Sequence, residues 1–213
     1  MLCRVCERSQ SGRFGTFEGR NYLRCRRCEA TFLHPSQLPS PNIELAHYKT
    51  HENNSGDSGY RAYLSRLAGP LLECLPVAQH GLDYGCGPGP ALAEMLREAG
   101  HSVALYDPFF APDRAPLADR YDFIICTEVA EHFHRPAKEF RKLNAILRPR
   151  GFLGIMTLFQ TDDSRFAKWR YRRDPTHVVF YRSETMQVLA KDFDWECKIP
   201  ARNVVIFRKK SQS

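Results

Sequence analysis

The chain has 213 residues, with 31 Lys+Arg against 24 Asp+Glu and a formal net charge of +7. That length gives one full domain plus a small appendage, and 43% hydrophobic with 26% charged residues excludes collagen-like and wholly disordered chains. The apolar runs fall short of the roughly 20 residues a membrane span needs, and no basic start followed by an apolar stretch appears, so a cytoplasmic protein with no membrane partner is expected.

The N-terminus carries two knuckles, Cys3-Arg-Val-Cys6 and Cys25-Arg-Arg-Cys28, with 18 residues between them. Each knuckle can bring two thiolates to one tetrahedral ion, which predicts a closed structural zinc ribbon over residues 1–34. Four unrelated thiols or a redox pair are the alternatives. Phe14, Phe17, Tyr22 and Leu23 can cover the ribbon. Its arginines, among them Arg4, Arg8, Arg13, Arg20, Arg24, Arg26 and Arg27, form either a phosphate-holding face or a solvated one. Pro35, Pro39 and Pro41 mark the exit, and residues 35–59 read as a polar, turn-rich linker lying over the main domain. His47, Tyr48 and His51 are candidates for a lid there.

Residues 60–213 form the main domain. Tyr60, Tyr63, Leu64, Leu67, Leu71 and Leu72 have helical spacing, with Gly69-Pro70 as a candidate break. Strands are expected at 81–84, 102–106, 121–126 and 152–158. Helices are expected at 91–99, stopped by Gly100, at 136–147, and at 183–193 with Ser183 as N-cap. Residues 195–199 and 203–207 read as a closing hairpin. Strands alternating with helices imply an α/β fold with a doubly wound, Rossmann-like, mostly parallel sheet.

A glycine cluster, Leu82-Asp-Tyr-Gly-Cys-Gly-Pro-Gly89, sits between the first strand and its helix. Glycines there let the backbone turn tightly and approach a ligand, at the end of a parallel strand where the crevice of such sheets lies. Asp107 ends the next strand, about 20 residues on, where a carboxylate can accept both ribose hydroxyls. Asp83 can receive the amino group of a cationic cofactor, which a dinucleotide lacks.

These residues resemble class I S-adenosylmethionine-dependent methyltransferases. LDYGCGPG at 82–89 is similar to their first motif, VALYD at 103–107 to their second strand and its acid, YDFIICTEVAEH at 121–132 to the fourth strand, and LRPRGFLGIMT at 147–157 to the turn into the fifth. The resemblance spans residues 60–208. CRVC…CRRC followed by FLHP also resembles the zinc-ribbon members of this class. The resemblance implies methyl transfer from S-adenosylmethionine and a strand order of 3-2-1-4-5-7-6. It implies cofactor contacts at Asp83, Tyr84, Gly85, Cys86, Gly87, Gly89, Asp107, Pro108, Phe109, Thr127 and Glu128. The chain departs from the class after Asp107, where only 13 residues precede the next strand. A crossover alone takes about a dozen, so the third strand is expected to be missing or vestigial. Phe109, Phe110 and Leu117 then either line the adenine pocket or seal the bare sheet edge.

On the acceptor side, Glu128-Val-Ala-Glu131-His132 would put two carboxylates and an imidazole on one face of a helix. That pattern resembles metal-dependent members of the class, the ubiquinone-pathway O-methyltransferases and the small-RNA 2′-O-methyltransferases. Glu128, Glu131, His132 and a later His177 are thus candidate ligands for a second divalent ion. Without a metal, His132 or His177 can serve as general base, with Glu128 beside them. Residues 165–173 interleave five cations with three aromatics, a pattern that can stack bases or pack its rings inward with its cations in water. From 135 to 182 twelve basic residues face four acidic ones. The expected partner is accordingly an anionic small-molecule acceptor, methylated on oxygen or nitrogen, with RNA as the alternative. A non-catalytic cofactor-binding interaction protein is the reading from a different class.

Overall fold

The computed structural model describes residues 1–50 and 55–211. The ribbon begins with β1 (Ser11–Phe17), β2 (Arg20–Cys25) and β3 (Thr31–Leu33), paired antiparallel in that order. The stretch read as a linker contains a helix, α1 (Pro41–Tyr48), with Pro41 in its first turn, where a missing N–H costs nothing. His47 and Tyr48 end that helix, and His51 lies outside the described residues. Next come α2 (Ser58–Leu72), β4 (His80–Tyr84), α3 (Ala91–Glu98), β5 (Ser102–Tyr106) and β6 (Tyr121–Thr127). Gly69-Pro70 does not break α2: Pro70 sits in its last turn. Gly100, at φ +92°, supplies the left-handed stop after α3.

The chain continues through α4 (Pro136–Ile146), β7 (Leu147–Met156), α5 (Arg170–Arg173), β8 (Val179–Phe180), α6 (Ser183–Phe193), β9 (Trp195–Ala201) and β10 (Val204–Lys209). Ser183 is not the N-cap of α6. Arg182 holds that position, and its backbone N–H donates to Thr185 Oγ1.

The main sheet runs β5-β4-β6-β7-β10-β9, with β5, β4, β6 and β7 parallel and the closing hairpin antiparallel. That is the order 3-2-1-4-5-7-6 without its third strand. In its place, among the described residues, residues 108–120 hold a tight bridge from Asp107 to Ala111 and a short 3-10 turn at Ala115–Ala118.

Alternation along the strands sorts the two layers. Phe123 and Ile125 of β6 pack with Leu64, Leu67 and Leu71 of α2 and Leu92 and Leu96 of α3. Ile124 and Cys126 face the other way, into a core shared by Phe140 and Leu143 of α4, Met186 and Leu189 of α6, and the ribbon. Each fully buried leucine or phenylalanine stabilises the fold by about 1.5–3 kcal/mol.

The ribbon does not hang free. Its third strand pairs with β8 of the main domain, Thr31 opposite Phe180 and Phe32 opposite Val179. Phe14, Phe17 and Tyr22 surround Phe166 at ring distances of 5.2, 5.4 and 5.1 Å. Of the aromatics of 165–173, one packs fully inward and two are half-buried. Phe166 is fully buried, Trp169 lies against Phe180, and Arg172 is fully buried beside Glu18. Among the described residues no helix is long and apolar enough to cross a membrane.

Candidate active site and metal centres

Cys3, Cys6, Cys25 and Cys28 converge as the spacing predicts. All four are buried, and their sulfurs lie within 4.8 Å of one another. Cys3 to Cys28 and Cys6 to Cys25 are each 3.7 Å. A tetrahedral ion with bonds of about 2.3 Å to sulfur separates its ligands by about 3.8 Å, so the donor set fits zinc. Backbone N–H groups of Val5, Cys6, Arg27 and Cys28 point at the Cys3 and Cys25 sulfurs. The hydrogen bond shared by Cys3 and Cys28 pulls the Cys3 thiol down to about 5 and pushes the Cys28 thiol up, and burial raises Cys6, so a metal bound there would displace the protons the other thiols keep.

The glycine loop joins β4 to α3. Gly85 and Gly87 have φ of +86° and +62°, a backbone that L side chains rarely adopt. A Cβ on Gly85 would also stand 2.5 Å from Val129 Cγ2. The loop is tied to the end of β5: Gly85 and Cys86 donate to the Tyr106 carbonyl, and Gly87 donates to Asp107 Oδ2. Asp107 Oδ1 accepts from the N–H groups of Phe109 and Phe110. Pro108 and Phe109 thus sit in a turn organised by the carboxylate, and Oδ2 retains a lone pair for a hydroxyl donor. Phe109 meets Tyr48 edge to face at 5.6 Å, so α1 reaches the cofactor side of the crevice.

Asp83 is buried one residue before the end of β4. Burial, with the nearby Asp107 charge adding to it, pushes the Asp83 carboxyl up to about 7. A cationic group beside it would relieve that cost. Thr127 Oγ1, at the end of β6, is buried without a hydrogen-bond partner among the described residues. A buried carboxyl wanting a cation and an orphaned hydroxyl at the strand ends fit S-adenosylmethionine. The Tyr84 phenol is committed elsewhere: it donates to Glu139 Oε2 and accepts from Lys142 of α4. The Cys86 thiol is held up at about 12 by burial.

The helix expected over Glu128–His132 does not form. Glu128 has φ +52°, and only Ala130–His132 make a 3-10 turn. The three side chains therefore do not share a helical face. Instead the backbone reverses and His177 joins the turn: Glu131, His132 and His177 offer ligand atoms within 4.8 Å of one another, while Glu128 lies outside that group. The positive φ at Glu128 is a non-glycine strain of the kind that collects at functional sites.

Two tyrosines organise the carboxylates. Tyr63 Oη donates to Glu128 Oε1 at 2.8 Å, and Tyr171 Oη donates to Glu131 Oε1 at 2.5 Å. Among the described residues, Glu131 Oε2 is buried and has no hydrogen-bond partner. Burial, then the Glu128 charge, raises the Glu131 carboxyl well above its ordinary range, and burial raises Glu128. His132 Nδ1 and His177 Nδ1 lie 3.1 and 2.7 Å from the carbonyls of Thr176 and Tyr171. A carbonyl only accepts, so each ring carries a proton on Nδ1, and His177 Nε2 lies 3.9 Å from Asp174 Oδ2. The rings are 4.7 Å apart, and Tyr48 lies edge-on to His132 at 5.3 Å.

Sequence reasoning missed Tyr63, Tyr171, Asp174 and Thr176. Tyr63 reads as a core position of α2 and Tyr171 as one aromatic among three. The available signal was a hydroxyl where phenylalanine would fill the same space, since buried tyrosines seek a polar partner.

A family model described as a methyltransferase domain matches residues 54–198. Among solved structures, Burkholderia thailandensis 1,6-didemethyltoxoflavin-N1-methyltransferase, with bound 1,6-didemethyltoxoflavin and S-adenosylhomocysteine, is similar at a TM-score of 0.53 and 17% identity, over 95% of this chain and 100% of that one. A possible exported protein from Bordetella parapertussis gives 0.50 at 17% identity, over 82% and 81%. An O-methyltransferase family protein from Burkholderia thailandensis gives 0.49 at 17%, and this chain covers 59% of its length. No curated protein matches the chain. At these identities the structural likeness speaks for the fold. The family match covers most of the chain, and the protein is an enzyme of the methyltransferase domain family.

Proposed function

We propose that the protein transfers a methyl group from S-adenosylmethionine to an oxygen or nitrogen of a small anionic acceptor. The observation that carries this reading is the link Tyr48 makes between the two halves of the site: its ring meets Phe109, in the turn held by Asp107, at 5.6 Å and His132 at 5.3 Å. On one side the left-handed glycine loop is bound to Asp107 with Asp83 buried in β4, and on the other His132 and His177 each hold Nδ1 against a carbonyl. Bound S-adenosylmethionine supplies an electrophilic methyl on a sulfonium. Asp107 would accept the ribose hydroxyls and Asp83 would pair with the amino group. His132 or His177 would take the acceptor's proton at Nε2 as the new bond to carbon forms. Most of the rate would come from alignment, since displacement depends on near-attack geometry.

The excess of cations from 135 to 182 supports an anionic acceptor, although Arg141, Arg148, Arg172 and Arg182 already pair with Glu7, Asp122, Glu18 and Asp163. The full burial of Phe166 weighs against RNA. A second reading adds a divalent ion at Glu131, His132 and His177. It is favoured by the unpartnered, buried Glu131 Oε2 and by Nδ1–carbonyl contacts of the type that orient metal-binding histidines. Such an ion would supply Lewis-acid polarisation of an acceptor oxygen.

The test is methyl transfer from labelled S-adenosylmethionine to fractionated small metabolites and to RNA, with and without chelator. Label in an anionic metabolite fraction supports the reading. Label in RNA alone overturns the acceptor class. S-adenosylhomocysteine binding without turnover on any fraction would favour a non-catalytic module. Turnover indifferent to chelation removes the second ion.

A further inference from the structure

The ribbon's first turn reaches the site. Arg20, the first residue of β2, donates from Nη1 to the carbonyls of Arg172 and Asp174 at 3.3 and 3.1 Å, and from Nη2 to those of Pro175 and His177 at 3.2 and 3.3 Å. One guanidinium thus holds four backbone carbonyls within six residues of chain. Only a planar fork with several fixed N–H groups can do so. Two residues earlier, Glu18 Oε2 accepts from the fully buried Arg172.

The clamped segment is the one that carries His177. On its inner side Tyr171 donates to Glu131, His177 Nδ1 meets the Tyr171 carbonyl, His132 Nδ1 meets the Thr176 carbonyl, and Val178 N–H donates to the Glu131 carbonyl. Asp174 is held from within. Thr176 donates to Oδ1 from its N–H and its hydroxyl, and His47 Nε2 lies 2.9 Å from Oδ2. Residues 171–178 are therefore a slab between the ribbon on one side and Glu131 and His132 on the other. Farther along, β3 pairs with β8, and Leu33 N–H donates to the Val178 carbonyl.

Arg20 and Cys25 are the two ends of the same strand. The four-cysteine site pins one end of β2, and the other end grips the histidine loop. We propose that the ribbon is a positioning device for the acceptor side of the crevice, with Arg20 as the positioning residue that sets His177 opposite His132. The proposal rests on the reading of these histidines as acceptor-facing. It assigns the zinc ribbon an internal task rather than one toward an outside partner. The carbonyls that Arg20 holds all lie in residues 172–177, so the cofactor loop at residues 82–89 should be indifferent to it.

The experiment uses the full zinc-loaded chain and its Arg20→Ala and Arg20→Lys variants. Amide hydrogen exchange is followed over residues 170–178 and 82–89, with histidine imidazole NMR spectra and calorimetry of S-adenosylhomocysteine binding. In Arg20→Ala, exchange over 170–178 should rise at least about tenfold, and the His177 ring signals should move. Exchange over 82–89 and the affinity for S-adenosylhomocysteine should stay within about twofold. Arg20→Lys, with a single donor nitrogen, should fall between. Removing the ribbon metal should loosen 170–178 in the same way, and Arg20→Ala should then add little. Unchanged exchange and unmoved His177 signals in Arg20→Ala would overturn the proposal. So would loosening that spreads equally to 82–89. Failure to bind S-adenosylhomocysteine in the unsubstituted chain would instead count against the methyltransferase reading and leave the clamp standing.

Discussion

Tyr171 Oη lies 2.5 Å from Glu131 Oε1, and the same oxygen accepts from the Leu158 N–H at 3.2 Å. One phenol thereby joins the segment just after β7 to the carboxylate beside the histidine pair. Replacing Tyr171 by Phe would take the partner from a buried carboxyl oxygen and from the half-buried Leu158 amide, at a cost of about 2–4 kcal/mol. Thermal unfolding should fall by roughly 5–10 °C. Tyr63→Phe removes one bond to Glu128 and should cost about half as much. Equal losses from the two would remove the special place given to Tyr171.

The buried Asp83 sets a pH dependence. Its folded pKa is raised to about 7 from an ordinary 3.8, mainly by burial and then by Asp107, with Arg97 opposing. Between those values the folded chain holds a proton that the unfolded chain has released. Stability is therefore fully present below the unfolded value and is lost as pH rises through the folded one. Asp83→Asn should unfold at a higher temperature than the parent at pH 8 without ligand, by an amount on the order of a few kcal/mol, and the gap should close toward pH 4. The same variant should bind S-adenosylhomocysteine more weakly. A variant less stable at pH 8 would contradict this account of Asp83.

Gly85→Ala meets both a left-handed backbone and Val129 at 2.5 Å. It should cost about 1–3 kcal/mol and weaken S-adenosylhomocysteine at least tenfold in calorimetry. Gly12→Ala, where a Cβ meets nothing within 4 Å, is the matched control and should change neither.

Removal of the ribbon metal should lower the unfolding temperature by roughly 10 °C or more, since binding to four thiolates is folding free energy. Metal analysis of the purified chain should find one zinc per molecule. Cys25→Ser should reproduce the loss. A Cys25→Ser chain with parental stability would remove the ribbon site.

Much of the fold was legible because its signals are local. The alternation of Phe123, Ile124, Ile125 and Cys126 between two layers, the glycines at 85 and 87, and the four cysteines each write their environment into a few neighbouring residues. The missing third strand was legible by length alone, from the 13 residues after Asp107. What stayed hidden depends on pairing between distant parts. Glu128–His132 carry helical spacing, yet a left-handed Glu128 and the arrival of residues 171–178 override it. The helix at Pro41–Tyr48 was obscured by three prolines and a polar composition, although Pro41 is a normal first-turn residue. The cations of 165–173 looked available for an anion, and only the fold reveals Arg172 buried against Glu18.

The central claim is that Asp107, Asp83 and the glycine loop hold S-adenosylmethionine. Calorimetric titration of the full chain with S-adenosylhomocysteine tests it most directly. The expected result is one binding site per chain, a rise in unfolding temperature with ligand, and at least a tenfold loss of affinity in Asp107→Ala, which is about 1.4 kcal/mol. Absence of binding heat and of any thermal shift at saturating ligand, or an Asp107→Ala chain that binds as the parent does, would contradict it.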